Sequence, residues 1–269
     1  MRRVSQRVGG VVSEPAETGR RRLLQTLLGL TGAWLLGGCS RLSQSEWFPQ
    51  VLGLAERANA ALAPRLASRR SLAPEFTLAE VSARFPANGN SMPDDIDYQA
   101  LAASGFGDYR LEVDGLVESP ASLSLPEIRA LASRTQITRH DCVEGWSAIA
   151  QWKGARLAAL LDQVRPLPNA RFCVFHCADP MGPEGAEPYY ESIDLDDARH
   201  EQTILAYEMN GVDLPVAHGA PLRLRVERQL GYKHAKYVMR IELVESFDRI
   251  RGGRGGYWED QGYQWFAGI

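Results

Sequence analysis

Thr138-Arg139-His140-Asp141-Cys142-Val143-Glu144-Gly145-Trp146-Ser147 places a thiol, an imidazole, two carboxylates and a guanidinium within one short run. Segments with a purely structural task rarely concentrate so much chemistry. Gln136 to His140 reads as a strand that delivers the next residues to its C-terminal end, at a strand-to-loop junction. With Arg139 and His140 as neighbours, Cys142 is expected to lose its proton easily, and thiolate is the form that attacks carbon or sulfur or binds a metal. From the residues alone Cys142 reads three ways: a small buried hydrophobe, a nucleophile, or a metal ligand. Glu144 could carry a proton beside such a centre if burial raised its pKa, or it could make a structural hydrogen bond. Asp141 is expected to orient its neighbours.

Outward from this stretch, helices and strands mix without a regular βαβ rhythm. Leu111 and Val113 alternate with Glu112 and Asp114 before Gly115, a half-buried strand ending in a turn. Ser124-Leu125-Pro126-Glu127 fits a capping box and predicts a short helix from Leu125 to Ala132. Ala155 to Val164 has amphipathic periodicity, with Leu157, Leu160, Leu161 and Val164 on one face. Arg171 to His176, Tyr190 to Ile193 and Tyr237 to Val244 read as strands, and Asn210-Gly211 marks a hairpin turn. Leu222, Leu224 and Val226 alternate with arginines, so Arg225 and Arg228 read as a solvated strand face. The pattern predicts an α+β domain, and no G-x-G-x-x-G fingerprint interrupts it.

The chain has 269 residues, 45% hydrophobic and 23% charged, enough for a full core in one or two domains. Its net charge of -3 hides an asymmetry, because residues 1–39 hold six arginines against Glu14 and Glu17. The remainder is more acidic still, which argues against a nucleic-acid partner. Arg20-Arg21-Arg22-Leu23-Leu24-Gln25 precedes an apolar run to Leu36 that is too short to span a membrane and reads as a twin-arginine-type export signal. Leu36-Gly37-Gly38-Cys39 resembles a lipoprotein box, making Cys39 the lipid-anchored first residue of a periplasmic protein. Residues 40–84 are then a helical flank, and residues 85–269 the main domain. Of the four cysteines, Cys142, Cys173 and Cys177 remain. If the last two share a strand they stand roughly 13 Å apart, too far for a disulfide.

Arg139-His140-Asp141-Cys142-Val143-Glu144-Gly145-Trp146-Ser147, followed by Trp152-Lys153-Gly154, resembles the molybdenum-ligating segment of the sulfite oxidase superfamily. Within it, the chain is similar to the periplasmic methionine-sulfoxide reductase catalytic subunits and their uncharacterised relatives. The resemblance implies a molybdenum–molybdopterin cofactor whose one protein ligand to the metal is Cys142. Three further stretches extend it over residues 85 to 247. Asn88-Gly89-Asn90-Ser91-Met92-Pro93 resembles a pterin-contacting loop and implies contacts from Asn88, Ser91 and Met92. His218-Gly219-Ala220-Pro221-Leu222-Arg223-Leu224, followed by Gly231-Tyr232-Lys233-His234-Ala235-Lys236, implies a phosphate site made by His218, Arg223, His234, Ala235 and Lys236. A guanidinium, an ammonium and a glycine-bearing turn suit such an anion. Cys177 stands where the reductases have a cofactor-contacting threonine, and His140 is expected to hydrogen-bond the pterin.

The resemblance implies one catalytic domain of three-sheet α+β architecture, two-electron oxygen-atom transfer, and a sulfoxide or sulfite-like substrate, in a monomer. No C-x-x-C-H haem site occurs, so electrons are expected to pass to or from a separate membrane haem protein or cytochrome. The rival reading is a lipoprotein that is metal-free, with Cys142 as a thiol, or that binds zinc through His140, Cys142, Cys173, His176 and Cys177. Those spacings match no common zinc pattern. The tail from Gly252 to Phe266 carries glycines and aromatics and is expected to pack against the domain, with a lid over the cofactor mouth as the sharper alternative.

Overall fold

The computed structural model describes residues 71–182 and 187–269 and scattered positions between 45 and 62. The export signal, the lipoprotein box and Cys39 lie outside the described residues, as does nearly all of the 40–70 flank. The chain divides into two units, Met1–Asn59 and Ala60–Ile269, and both sheets belong to the second. No helix among the described residues is long and apolar enough to cross a membrane.

The elements run α1 (Ile96–Ala103), β1 (Arg110–Gly115), β2 (Ala121–Ser124), α2 (Leu125–Ala130), β3 (Ser133–Asp141), β4 (Ser147–Arg156), α3 (Leu157–Val164), β5 (Phe172–Met181), β6 (Glu187–Asp194), α4 (Leu195–Ala198), β7 (Ile204–Met209), β8 (Val212–Asp213), β9 (Arg223–Arg225), β10 (Val238–Val244) and α5 (Tyr257–Asp260). The first sheet has the order β2-β1-β10-β5-β6, with β1 and β10 parallel and the other pairs antiparallel. The second has the order β3-β4-β7-β8, with β9 on β7, all antiparallel. The α+β class with mixed sheets is therefore as the sequence led one to expect. The described residues form two sheets rather than the three that the resemblance implied.

Local chemistry accounts for most of these boundaries. Ser124 caps α2, with the Glu127 carboxylate reaching back to the Ser124 N–H at 2.8 Å. Asn210 and Gly211 take positive φ of 51° and 80°, the backbone that a tight turn between β7 and β8 requires. Four aliphatics of α3, Leu157, Leu160, Leu161 and Val164, are fully buried and join Leu111, Phe175, Ile241 and Leu243 of the first sheet to Leu205 and Leu224 of the second. Each such side chain contributes about 2 kcal/mol by leaving water. The helix starts at Leu157 rather than Ala155, because Ala155 and Arg156 finish β4. Strand β4 itself was not anticipated. Its inward positions include Ala148, Ala150 and Gly154, whose small size blurs the alternation that signals a strand.

The arginines of β9 are the clearest correction. Arg223 and Arg225 are both fully buried, and their guanidinium groups lie 5.0 Å and 4.4 Å from the Trp152 ring centroid. The leucine and arginine faces of this strand are thus both interior. Arg228, expected on the same face, lies past the end of β9 and pairs with Asp197.

Candidate active site

Cys142 opens the five-residue connection between β3 and β4. Its N–H donates to the Trp146 carbonyl at 2.9 Å, and the Gly145 N–H donates back to its own carbonyl at 3.0 Å. The Asp141 carboxylate clamps the mouth of this loop, accepting from Arg139 Nε at 3.0 Å and from the Ser147 hydroxyl. It orients its neighbours as expected. Trp146 Nε1 donates to Glu144 at 2.9 Å, so the exposed Glu144 makes the structural hydrogen bond.

The thiol is not the easily ionised group that its sequence neighbours suggested. Burial pushes the Cys142 pKa up and the Glu144 charge adds to this, against the lowering by the Val143 and Glu144 N–H groups. Strand alternation is the reason. Arg139 points outward onto Asp141, while His140 points inward and is fully buried. Burial, then Arg225 and Arg223, hold the His140 pKa far below its usual value, so it is neutral. A bound metal ion would supply what the protein withholds, since coordination deprotonates a thiol outright.

Cys142, Val143 and Glu144 line a cleft of about 730 Å³ that is open to solvent on one side. The same cleft is lined by Asn88, Gly89, Asp179, His234 and Lys236, and by Met181, Tyr189, Tyr232, Trp258 and Tyr263. Of the residues singled out from sequence, the structure brings Cys142, Glu144, Asn88, His234 and Lys236 to the cleft. Arg223, His218 and Ala235 stand behind this lining. Arg223 donates to the His218 carbonyl at 3.0 Å and to the His234 carbonyl at 3.4 Å. Ser91 and Met92 are exposed and Cys177 is buried, and none of the three lines the cleft.

His140 also stays out of the lining. Its Nδ1 accepts from Arg225 Nη1 at 3.0 Å, and Arg225 is in turn held by Glu227 through two bonds of 2.8 Å and 2.6 Å. The imidazole is pressed so closely under Gly231 that a Cβ there would stand 2.5 Å from His140 Nε2. Only glycine lets the 231–236 loop lie this close to β3.

Two buried cations, Lys236 in the cleft lining and Arg223 behind it, have no carboxylate at hydrogen-bond distance among the described residues. Lys236 donates to the carbonyls of Asn88 at 2.7 Å, Ala217 at 3.1 Å and Asn90. Burial, then Arg223, bring its pKa down to about 7, against the pull of Asp179. Burial, then Arg225, bring Arg223 down to about 9. Burial raises Asp179 to about 7, against Lys236. Around these cations Asn88 Oδ1, Asp179 Oδ1, His218 Nδ1, Arg223 Nε and His234 Nδ1 are buried without a hydrogen-bond partner among the described residues. So many unmet polar atoms at one cleft call for a polar ligand. Unmet polar atoms beside two cations that have no carboxylate at hydrogen-bond distance fit a polar ligand with an anionic part.

The zinc alternative finds its donors committed elsewhere. His176 Nε2 pairs with Glu242 at 2.9 Å, His140 Nδ1 is held by Arg225, and the described residues contain no cluster of metal-binding His, Cys, Asp and Glu. Cys173 and Cys177 share β5 and are free thiols, as their spacing required.

Sequence reasoning missed the aromatic half of the lining and the ion triad behind it. Lys233 is fully buried between Glu191 and Glu259, the latter at 2.6 Å. No local pattern links residue 233 to residues 191 and 259, since the three meet only when β6, the 231–236 loop and α5 pack together.

Residues 98–249, more than half of the chain, match the family model described as oxidoreductase molybdopterin binding domain. The chain is 37% identical over 261 residues to an Azospira oryzae protein provisionally named protein-methionine-sulfoxide reductase subunit YedZ1, covering 97% of this chain and 91% of that one. It is 32% identical over 244 residues to the protein-methionine-sulfoxide reductase catalytic subunit MsrP of Xanthomonas axonopodis pv. citri, covering 88% and 73%. Among solved structures it is similar to the sulfane dehydrogenase SoxCD of Paracoccus pantotrophus, with a TM-score of 0.48 and 21% identity over 56% of this chain and 45% of that one. The family match, falling on the cleft with its buried cations and its cysteine, leads to the conclusion that this chain belongs to the oxidoreductase molybdopterin-binding domain family and is a molybdopterin-dependent oxidoreductase.

Proposed function

We propose that residues 85–269 form an exported, periplasmic enzyme that reduces a sulfoxide by two-electron oxygen-atom transfer. The net reaction converts a sulfoxide, two electrons and two protons into a thioether and water. The observation that carries this reading is that Cys142 and Lys236 line one cleft, with Arg223 buried behind that lining, and that neither cation has a carboxylate at hydrogen-bond distance among the described residues. Cys142 would hold the molybdenum of a molybdopterin, while Arg223 and Lys236 would hold its phosphate, with Asn88, His218, His234 and the Ala235 backbone beside them. When bound, that group supplies the two-electron chemistry and the oxygen transfer. Glu144 is exposed and lines the cleft, and beside its hydrogen bond from Trp146 it would pass protons between solvent and the cleft. The electrons come from a separate partner, a membrane haem protein or a cytochrome.

The lining favours a neutral sulfoxide over sulfite. The one cation among its described residues, Lys236, is already given to the cofactor phosphate, which leaves the carboxyl groups of Glu144 and Asp179 to face the substrate. A sulfur oxyanion would meet like charge. The reductase names of the relatives agree with this direction. The raised pKa of the thiol counts against the rival reading of Cys142 as a nucleophile.

Elemental mass spectrometry on protein from a pterin-competent host, beside Cys142→Ser, tests the proposal. The expected result is about one molybdenum per chain in the parent, with altered metal spectra and no turnover in the variant. No molybdenum in either protein, and no pterin released on denaturation, would overturn it.

A further inference from the structure

We infer that the C-terminal segment from Gly252 to Ile269 builds the substrate-facing wall of the cleft, with Trp258 and Tyr263 holding the apolar substituent on the substrate sulfur. This rests on the oxygen-transfer reading above. It assigns a specificity-determining role to a segment that begins beyond residue 249, where the family match ends.

The cleft lining divides into two chemistries. Asn88, Asp179, His234 and Lys236 are the polar part, and Asn88 Oδ1, Asp179 Oδ1 and His234 Nδ1 of it are buried without a hydrogen-bond partner among the described residues. Tyr232, Trp258 and Tyr263 form a continuous aromatic surface. Tyr263 stacks on Trp258 with centroids 5.3 Å apart and meets the Tyr232 ring edge-on at 5.2 Å. Met181 adds a thioether to the same lining. The polar part suits the cofactor, which leaves the aromatic part for a ligand with apolar surface. Rings of this kind attract polarisable sulfur and alkyl or aryl groups. Tyr263 is 41% exposed, so the surface is open to an incoming molecule rather than sealed in the core.

This wall is fixed before any substrate arrives. Glu259, next to Trp258, is anchored on the buried Lys233 at 2.6 Å. The Tyr232 hydroxyl donates to the Gln264 carbonyl at 2.6 Å, and Trp265 Nε1 donates to the Ser192 hydroxyl at 2.8 Å. The Leu230 N–H donates to the Ala267 carbonyl at 2.8 Å, and the Ile269 N–H to the Arg228 carbonyl at 3.0 Å. The tail is thus tied to residues 228–233, the first part of the proposed cofactor loop. A preorganised wall discriminates between substituents without paying to order itself on each encounter.

The test compares the full-length holoenzyme with Trp258→Ala, Tyr263→Ala and the shape-preserving Trp258→Phe. Reduction of methyl phenyl sulfoxide and of dimethyl sulfoxide is followed with a reduced viologen as electron donor. Binding of the unreactive methyl phenyl sulfone is measured by calorimetry. The alanine variants should lower the preference for the aryl over the dimethyl substrate by about tenfold, chiefly through KM. They should weaken sulfone binding to a similar extent, with molybdenum content at the parent level. Trp258→Phe should recover most of both. An unchanged preference with unchanged sulfone affinity, or loss of molybdenum on removal of either ring, would overturn the assignment. Sulfone binding needs no turnover, so a parent protein without molybdenum would sink the oxygen-transfer reading and still leave the wall testable.

Discussion

Glu191→Gln should make the protein more stable as pH rises, and the reason lies in the charge count of one buried triad. Lys233, Glu191 and Glu259 have side chains that are 0%, 0% and 1% exposed. One ammonium faces two carboxyls, so the group carries an unbalanced negative charge in the interior unless one carboxyl keeps its proton. Burial pushes the Glu191 pKa well above the ordinary 4.5, and the Glu259 charge adds to this, against Lys233. Glu191 is thereby pushed toward its protonated form. In the unfolded chain it ionises near 4.5, so between its two pKa values folding takes up a proton. A raised folded-state pKa gives a contribution that is complete below 4.5 and is lost as pH climbs toward the folded value. Over that window the folding equilibrium weakens about tenfold for each pH unit. Glutamine is nearly isosteric with the protonated acid and cannot ionise, so the variant escapes this loss.

Urea unfolding of the two proteins at intervals from about pH 5 to about pH 8 reads the difference directly, because every other group titrates alike in both and cancels. The curves should start close together and diverge at up to about tenfold in the equilibrium constant per pH unit. They should run parallel once Glu191 has ionised in the native state. Parallel curves over the whole range, or a variant less stable by more than about 2 kcal/mol throughout, would refute the protonated-carboxyl account.

Gly231→Ala should cost about 1–3 kcal/mol by overpacking, because the His140 ring cannot retreat: Arg225 holds its Nδ1 at 3.0 Å, and the Phe85, Trp146 and His234 rings surround it. Thermal unfolding and molybdenum content should fall together, and a variant with both at parental levels would show that the loop does not need its close approach to β3. Arg225→Met should destabilise by about 3–5 kcal/mol, since it strands the buried Glu227 carboxylate. Adding Glu227→Gln should restore part of that loss, which a double-mutant cycle in urea would measure.

The sequence was most readable where local chemistry decides the outcome. The Ser124 to Glu127 box, the Asn210-Gly211 turn and the apolar face of α3 need only near neighbours, and all three stand where their patterns placed them. The Cys142 loop was legible for the same reason. What escaped depends on packing between distant segments. An arginine alternating with leucines looks solvated until Trp152, His140 and Glu227 close over it from β4, β3 and the end of β9. The easy ionisation expected of Cys142 failed on side-chain direction. Two basic neighbours in sequence point to opposite faces of a strand, one toward solvent and the other neutral in the core. The tail showed its aromatics but not their division of labour, with Trp265 packed on Phe172 and Phe247 while Trp258 and Tyr263 line the cleft.

The buried cations separate structure from function here more sharply than any motif does. Arg225 and Lys233 are fully buried and each is balanced, by Glu227 in one case and by Glu191 with Glu259 in the other. Arg223 is just as buried, and Lys236 nearly so, but both meet only carbonyl oxygens and a phenol hydroxyl at hydrogen-bond distance. Carbonyl dipoles do not offset the loss of hydration as a full countercharge does, and the depressed pKa values of both groups record that shortfall. A fold that pairs two interior cations within the same short stretch of chain has the means to pair the others. Among the described residues no carboxylate reaches Arg223 or Lys236 at hydrogen-bond distance, which is why the proposed function gives them to the phosphate of a bound cofactor. Lys236 lines the cleft that also holds Cys142 and Arg223 stands behind it, so on the proposed reading one cleft would offer both the thiolate ligand and the cations for the phosphate.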